Sequence, residues 1–237
     1  MRINQFLARA GLGSRRSVER FILQGRVIIN NNIISNLAST VDPDNDIVYV
    51  DHRRINLPKE YSFVVLNKPV GFICSRKDPK HKNTVFDLLP RKYQHLTYGG
   101  RLDINSRGGV IFSNDGDFIY KITRPQSLIL KYYQVKFKGE IPDFSEFKSK
   151  LKSGIWDNHE LLRVNDIRLK KKGMLSIILQ EGRKNHIRRL LASFKLTIKD
   201  LYRYGIGNLF LNRLHLEEGD WKKINKYDIF LGEEKNS

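Results

Sequence analysis

Gly100-Arg101-Leu102-Asp103-Ile104-Asn105-Ser106-Arg107-Gly108 is the stretch on which the reading of this chain turns. A single carboxylate lies between two guanidinium groups, with glycine pairs at 99–100 and 108–109. Nearby positive charge favours the ionised carboxylate, the form that a nucleophile or a base needs. An aspartate that caps its own loop, or pairs at the surface, has the same spacing, so the stretch alone leaves both readings open.

Two later stretches carry related chemistry. In Glu181-Gly182-Arg183-Lys184-Asn185-His186-Ile187-Arg188-Arg189 a basic run opens a helix. Ile187, Leu190, Leu191 and Phe194 fall at i, i+3, i+4 and i+7, one helix face, so Arg188 and Arg189 are off the core stripe. Either can reach an acid in a cleft or an RNA phosphate; a solvated basic face is the alternative. His186 has no Ser or Cys nucleophile pattern around it and is not a candidate base. Lys131-Tyr132-Tyr133-Gln134-Val135 begins a half-exposed strand in which Tyr133, Val135 and Phe137 alternate with polar residues. An aromatic in that setting stacks on a base or packs in a core.

Around these stretches, residues 61–230 alternate between strand-like and helix-like runs. Phe63-Val64-Val65-Leu66 reads as a strand ended by Asn67-Lys68-Pro69. Val110-Ile111-Phe112 reads as another, ended by the turn Asn114-Asp115-Gly116. Leu175, Ile177 and Leu179 alternate as a third. The pattern is α+β and dominated by antiparallel strands. Residues 57–60 are a polar, proline-containing linker, and 231–237 a tail.

Residues 1–56 form a separate block. Ile3, Phe6, Leu7 and Ala10 take helical spacing, closed by Gly11. Ser14 is placed to cap a second helix whose apolar face is Val18, Phe21 and Ile22, and Gly25 stops it. Val27-Ile28-Ile29 and Ile47-Val48-Tyr49-Val50 read as strands, with Asn30-Asn31-Asn32 supplying a left-handed turn. Arg15, Arg16 and Arg20 lie off the apolar stripe, with Arg26 just past it. Four basic groups on one small αα-β unit favour a phosphate-binding face.

Charge narrows the class. The 237 residues carry a net charge of +18, which points to a polyanionic partner, nucleic acid before an anionic membrane. No apolar run approaches the ~18–20 residues of a spanning helix, and the start shows no secretory h-region. The single cysteine, Cys74, excludes an internal disulfide and a multi-cysteine zinc site. A cytoplasmic protein without a metal or an organic cofactor is the expectation.

Ile3-Asn4-Gln5-Phe6-Leu7-Ala8, then Gly11-Leu12-Gly13-Ser14-Arg15-Arg16, then Gly25-Arg26-Val27, resemble the S4 RNA-binding domain. Lys68-Pro69-Val70-Gly71, Gly100-Arg101-Leu102-Asp103 with Ser106 and Gly108, Asn114-Asp115-Gly116, Lys131 to Val135, and Glu181-Gly182-Arg183 with Ile187-Arg188-Arg189 then follow in one order. That order resembles the RsuA-type family of bacterial ribosomal RNA pseudouridine synthases, over nearly the whole chain. The fold that this implies is a small S4-like ααβ domain followed by a catalytic domain with a central, mostly antiparallel mixed sheet.

The resemblance also implies roles. Asp103 matches the family's nucleophilic aspartate. Tyr133 matches the tyrosine that lies against the target uracil, a candidate for proton transfer at C5. Arg188 matches the basic residue that pairs with the aspartate. Arg101, Lys68, Gly71 and Arg183 are the substrate-binding candidates beside it, and Arg15, Arg16, Arg20, Arg26 and Arg189 the RNA-binding ones. Gly99 and Gly109 replace aliphatic residues, which is expected to loosen the loop and weaken the strand. The family's reaction breaks the N1–C1′ bond of uridine, turns the ring and rejoins it through C5. It is redox-neutral and needs no cofactor. The carboxylate can attack C1′ or C6. The implied partner is ribosomal RNA or a ribosome-assembly intermediate, with a lean to the large subunit over the small, met by a monomer with no obligate protein partner and no membrane. A non-catalytic RNA-binding assembly factor is the alternative; it explains the charge but not Asp103, Tyr133 and Arg188 together.

Overall fold

A computed structural model describes residues 1–230, the side chain of Pro125 excepted; the expected tail at 231–237 lies outside the described residues. The chain divides into two compact units. The first holds Met1–Ser62 with Asn114–Gly116, and the second holds Phe63–Ser113 and the chain from Asp117 onward. No helix among the described residues is long and apolar enough to cross a membrane.

In the first unit, helices α1 (Ile3–Arg9) and α2 (Arg15–Leu23) precede strands β1 (Val27–Ile29), β2 (Asn32–Ile34), β3 (Val48–Val50) and β4 (Arg53–Ile55). The strands form an antiparallel sheet in the order β2-β1-β3-β4. Ser14 caps α2, its Oγ accepting the Ser17 N–H at 3.1 Å. Asn30 and Asn31 both take positive φ, as a two-residue hairpin of primed type requires, while Asn32 already belongs to β2. Ile3, Phe6, Leu7, Val18 and Ile22 close over Val27, Ile29, Val48 and Val50 to make this unit's core.

The second unit opens with β5 (Phe63–Lys68), β6 (Thr97–Gly99) and β7 (Arg107–Ser113), then α3 (Gly116–Thr123) and β8 (Lys131–Lys138). Next come α4 (Phe144–Ser153), the hairpin β9 (Ile155–Asp157) and β10 (Glu160–Leu162), β11 (Asp166–Lys171) and β12 (Met174–Leu179). It ends with α5 (His186–Ala192), β13 (Thr197–Ile206), β14 (Leu209–Phe210), α6 (Leu211–Leu214) and β15 (Trp221–Lys223). The main sheet runs β11-β12-β8-β13-β7-β5-β15, with β6 on β7 and β14 on β13. Every pairing is antiparallel except β13 with β7.

The side-chain pleat explains the strand sequences. Val64 and Leu66 of β5, and Val110 and Phe112 of β7, enter one core, while Val65 and Ile111 enter another on the opposite face. Strands buried on both faces are apolar without alternation. β8 and β12 are covered on one face, so Tyr133, Val135 and Phe137 alternate with more exposed residues. Asp143 caps α4, accepting the Ser145 and Glu146 N–H groups at 2.7 and 3.1 Å.

Candidate active site

Asp103 lies on the loop between β6 and β7, and the rest of the molecule grips that loop by its backbone. The turn closes on itself through the Ser106 N–H to the Asp103 carbonyl, at 3.0 Å. Lys68, 0% exposed at the end of β5, places its Nζ within 3.2 Å of the Asp103 carbonyl, 2.6 Å of the Ser106 carbonyl and 3.0 Å of the carbonyl of the adjacent Pro69. The Gly71 N–H donates to the Ile104 carbonyl at 2.9 Å, from a φ of 90°. The Leu102 N–H donates to Cys74 Sγ at 3.4 Å. Arg188 Nη2 donates to the Asn105 carbonyl at 2.8 Å and to Ser106 Oγ at 3.2 Å. Such bracing holds a reactive group in one place, and the exposed Asp103 side chain is left to the solvent side of the loop.

A cavity of about 270 Å³ opens in front of it, and its wall includes Asp103, Tyr133, Arg188, Arg101, Lys131 and Arg203. Tyr133 is 7% exposed. It stands between Ile177 of β12 and Arg203 of β13 in the strand ladder. Arg183 also lines the cavity, with its guanidinium 3.4 Å from Glu160 and 3.5 Å from Glu181. Burial pushes the Lys68 and Lys131 ammonium groups down to about 8 and lowers the His186 imidazole. His186 Nε2 meets the Arg163 carbonyl at 3.1 Å, a structural role.

Several expectations need correction. The ion pair between Arg188 and Asp103 is not formed; the guanidinium donates instead to the Asn105 carbonyl and to Ser106 Oγ. Lys68 and Gly71 do not line the cavity but hold its loop from behind. Arg107 does not flank the carboxylate electrostatically. As the first residue of β7 it turns away, paired with Asp200 at 2.8 Å and Glu218 at 2.6 Å, and stacked 4.2 Å from the Tyr202 ring. Arg189 is no exposed RNA ligand. Its side chain is 19% exposed and is held by Asp157 and Glu160 of the β9–β10 hairpin. In the first unit Arg15, Arg16 and Arg20 are exposed. Arg26 is instead bound through two nitrogens to Asp51, at 2.7 and 2.5 Å, and lies 4.6 Å over the Phe21 ring.

Gly99 does not leave its neighbourhood loose either. A Cβ there would sit 2.5 Å from Ile122 Cδ1, so isoleucine fills the volume that a larger residue would take. Arg203 escaped the sequence reading. It is buried in the inward register of β13 between Leu201 and Gly205, and a lone charge in an apolar alternation was its signal.

Comparison with known proteins follows the same division. A family model described as RNA pseudouridylate synthase matches residues 62–193, and an S4 domain model matches residues 1–48. An uncharacterised RNA pseudouridine synthase of Aquifex aeolicus is 32% identical over 234 residues, 97% of this chain and 92% of the relative. Ribosomal large subunit pseudouridine synthase B of Buchnera aphidicola is 32% identical over 248 residues, 97% of this chain and 91% of the relative. A crystal structure of a pseudouridylate synthase shares the fold, with a TM-score of 0.69 at 24% identity, covering 97% of this chain and 98% of that one. The α+β architecture, the matched domains and these relatives agree: the chain belongs to the RNA pseudouridine synthase family, isomerases of uridine in RNA, and carries an S4 domain ahead of its catalytic domain.

Proposed function

We propose that this enzyme isomerises one uridine of large-subunit ribosomal RNA, with Asp103 as the nucleophile. One observation carries the assignment: the Asp103 carboxylate stands in the cavity with no ion pair among the described residues, while Lys68, Gly71 and Arg188 pin the backbone around it. A carboxylate that is held in place and not neutralised is suited to attack. Tyr133 forms the wall against which the uracil lies, and it is the candidate for moving the C5 proton. Arg188 is a positioning residue, acting through the Asn105 carbonyl and Ser106 Oγ. Arg101 and Arg183 serve the target nucleotide at the cavity.

The target must leave its stack to enter, at a cost of a few kcal/mol. Phosphate contacts offset that cost, from the exposed Arg15, Arg16 and Arg20 and from a chain with a net charge of +18. The lean to the large subunit rests on relatives whose names carry that substrate. The substrate is ribosomal RNA, free or partly assembled, met in the cytoplasm by a monomer without an obligate protein partner.

Mapping pseudouridines in ribosomal RNA from cells with and without the gene tests this reading. Loss of one modification in large-subunit RNA, restored by the wild-type gene, is expected. Loss confined to small-subunit RNA, or no loss in either, contradicts it.

A further inference from the structure

Arg203 is 4% exposed and lines the cavity that holds Asp103. Its Nε donates to the Gly109 carbonyl at 2.9 Å and its Nη1 to the Arg101 carbonyl at 3.4 Å. Its Nη2 is buried and meets no acceptor, and Arg203 forms no ion pair among the described residues. A buried guanidinium without a carboxylate is costly. The backbone is also bent to put it there. The β8–β13 register shifts between Arg203 and Gly205, and bulges of this kind re-aim side chains beside active sites. Gly108 has a φ of 117°, and a Cβ there would stand 2.2 Å from the Arg203 carbonyl oxygen, so only glycine lets β7 close on this residue.

A second cation stands close by. Lys131 lies two residues along β8 from the Tyr133 that faces Arg203, lines the same cavity and donates to the Gln180 carbonyl at 2.8 Å. Among the described residues it too has no carboxylate partner. Leu179, Leu201 and Ile206 share the wall with this pair and suit a flat ring. The exposed Arg101 and Lys184, also on the wall, suit a hydrated phosphate.

We propose that the Arg203 guanidinium, seconded by Lys131, stabilises through its charge the negative charge that develops on the target uracil in this cavity. Both routes open to Asp103 need this. Attack at C1′ forms the ester bond, breaks N1–C1′ and leaves the electron pair on the uracil, spread over N1, O2 and O4. Attack at C6 forms a C6–O bond and drives the C5=C6 pair onto O4. A cation fixed in the cavity wall stabilises that charge without reorganising. The inference rests on Asp103 as the nucleophile of this cavity.

The test uses full-length Arg203→Gln, Arg203→Lys and Lys131→Gln, with RNA affinity and single-turnover rate measured separately. Arg203→Gln should keep its RNA affinity while its rate on bound RNA falls by about 10²–10³-fold, with Arg203→Lys between. In RNA with 5-fluorouridine at the target, fluorine draws charge from the ring, so the gap between wild type and variant in substrate consumption should shrink. A merely structural role leaves that gap unchanged. If Arg203→Gln fails to fold, Lys131→Gln carries the test, with a rate deficit of about tenfold that shrinks in the same way. A wild-type rate, a loss of affinity with an unchanged rate on bound RNA, or a gap that fluorine does not alter overturns the inference. Asp103→Asn separates the two claims. If it still turns over, the nucleophile assignment fails; if it is inactive while Arg203→Gln works normally, only the present inference fails.

Discussion

Arg188 Nη2 donates to the Asn105 carbonyl at 2.8 Å, so helix α5 holds the loop two residues beyond Asp103 while the carboxylate itself has no ion pair among the described residues. Losing that hold lets the nucleophile wander, and a misplacement near 1 Å costs about 10²-fold in rate. Arg188→Ala should therefore lower kcat by about that factor with little change in melting temperature. Arg188→Lys should fall between, because the charge survives and the planar fork does not. Arg189→Ala should do the opposite. It removes the clamp on Asp157 and Glu160, so it should lower the melting temperature and leave the rate on bound RNA close to wild type. Equal kinetic losses in Arg188→Ala and Arg189→Ala would contradict this division of roles.

The pH profile should separate activity from stability. Burial pushes Lys68 and Lys131 down to about 8, with the Arg203 charge adding to the effect at Lys131. Lys68 serves three carbonyls as an ammonium; a neutral amine has only two hydrogens to give. The rate on bound RNA should fall as pH rises through about 8. Stability should move the other way. An unfolded lysine titrates near 10.5, so above about 8 the unfolded chain binds more protons than the folded one, and stability rises with pH. Above 9.0 the Cys74 thiol, pushed up by burial, acts in the opposite sense, which makes the interval from about 8 to 9 the one to compare. A rate that stays flat there, or a melting temperature that falls with it, would count against the lysines.

Two adjacent glycines should respond differently to one methyl group. At Gly108 a Cβ collides with the Arg203 backbone and φ is 117°, so Gly108→Ala should cost about 3 kcal/mol or more. At Gly109 the nearest atom is a Leu211 side-chain carbon at 3.6 Å and φ is ordinary. Gly109→Ala should be neutral or stabilise by about 0.5 kcal/mol, through the unfolded chain. Thermal or urea unfolding of the two variants checks this; a mild Gly108→Ala would mean that β7 does not need to approach β13 so closely.

The parts of the fold that were legible in the sequence are those in which a local pattern and a tertiary role coincide. Val64-Val65-Leu66 and Val110-Ile111-Phe112 read as strands because both their faces are buried, and Ser14 read as a cap because the Ser17 N–H lies within its reach. The β9–β10 hairpin was not legible: Arg189, 32 residues beyond Asp157 and 29 beyond Glu160, holds both in place. Helix α4 has a capping Asp143 and the pair Phe147 and Leu151, but its remaining surface is polar and the signal is short. The same limit explains the errors at the site. The periodicity of α5 sets the direction of Arg188 and Arg189 around one helix, yet says nothing of what packs against its polar side. Arg203 lies about a hundred residues beyond Asp103 in the sequence, and the parallel pairing of β13 with β7 brings it to the loop.

The role of Asp103 as the attacking carboxylate is open to direct experiment. Its most direct test is pseudouridine formation by purified Asp103→Asn on the RNA that the wild-type enzyme modifies, under single-turnover conditions, with binding and melting measured on the same preparation. The amide keeps the shape of the side chain and removes its nucleophilicity. Wild-type RNA affinity, an unchanged melting temperature and no pseudouridine are expected. Pseudouridine formed by the Asn variant, free of contaminating enzyme, would contradict it.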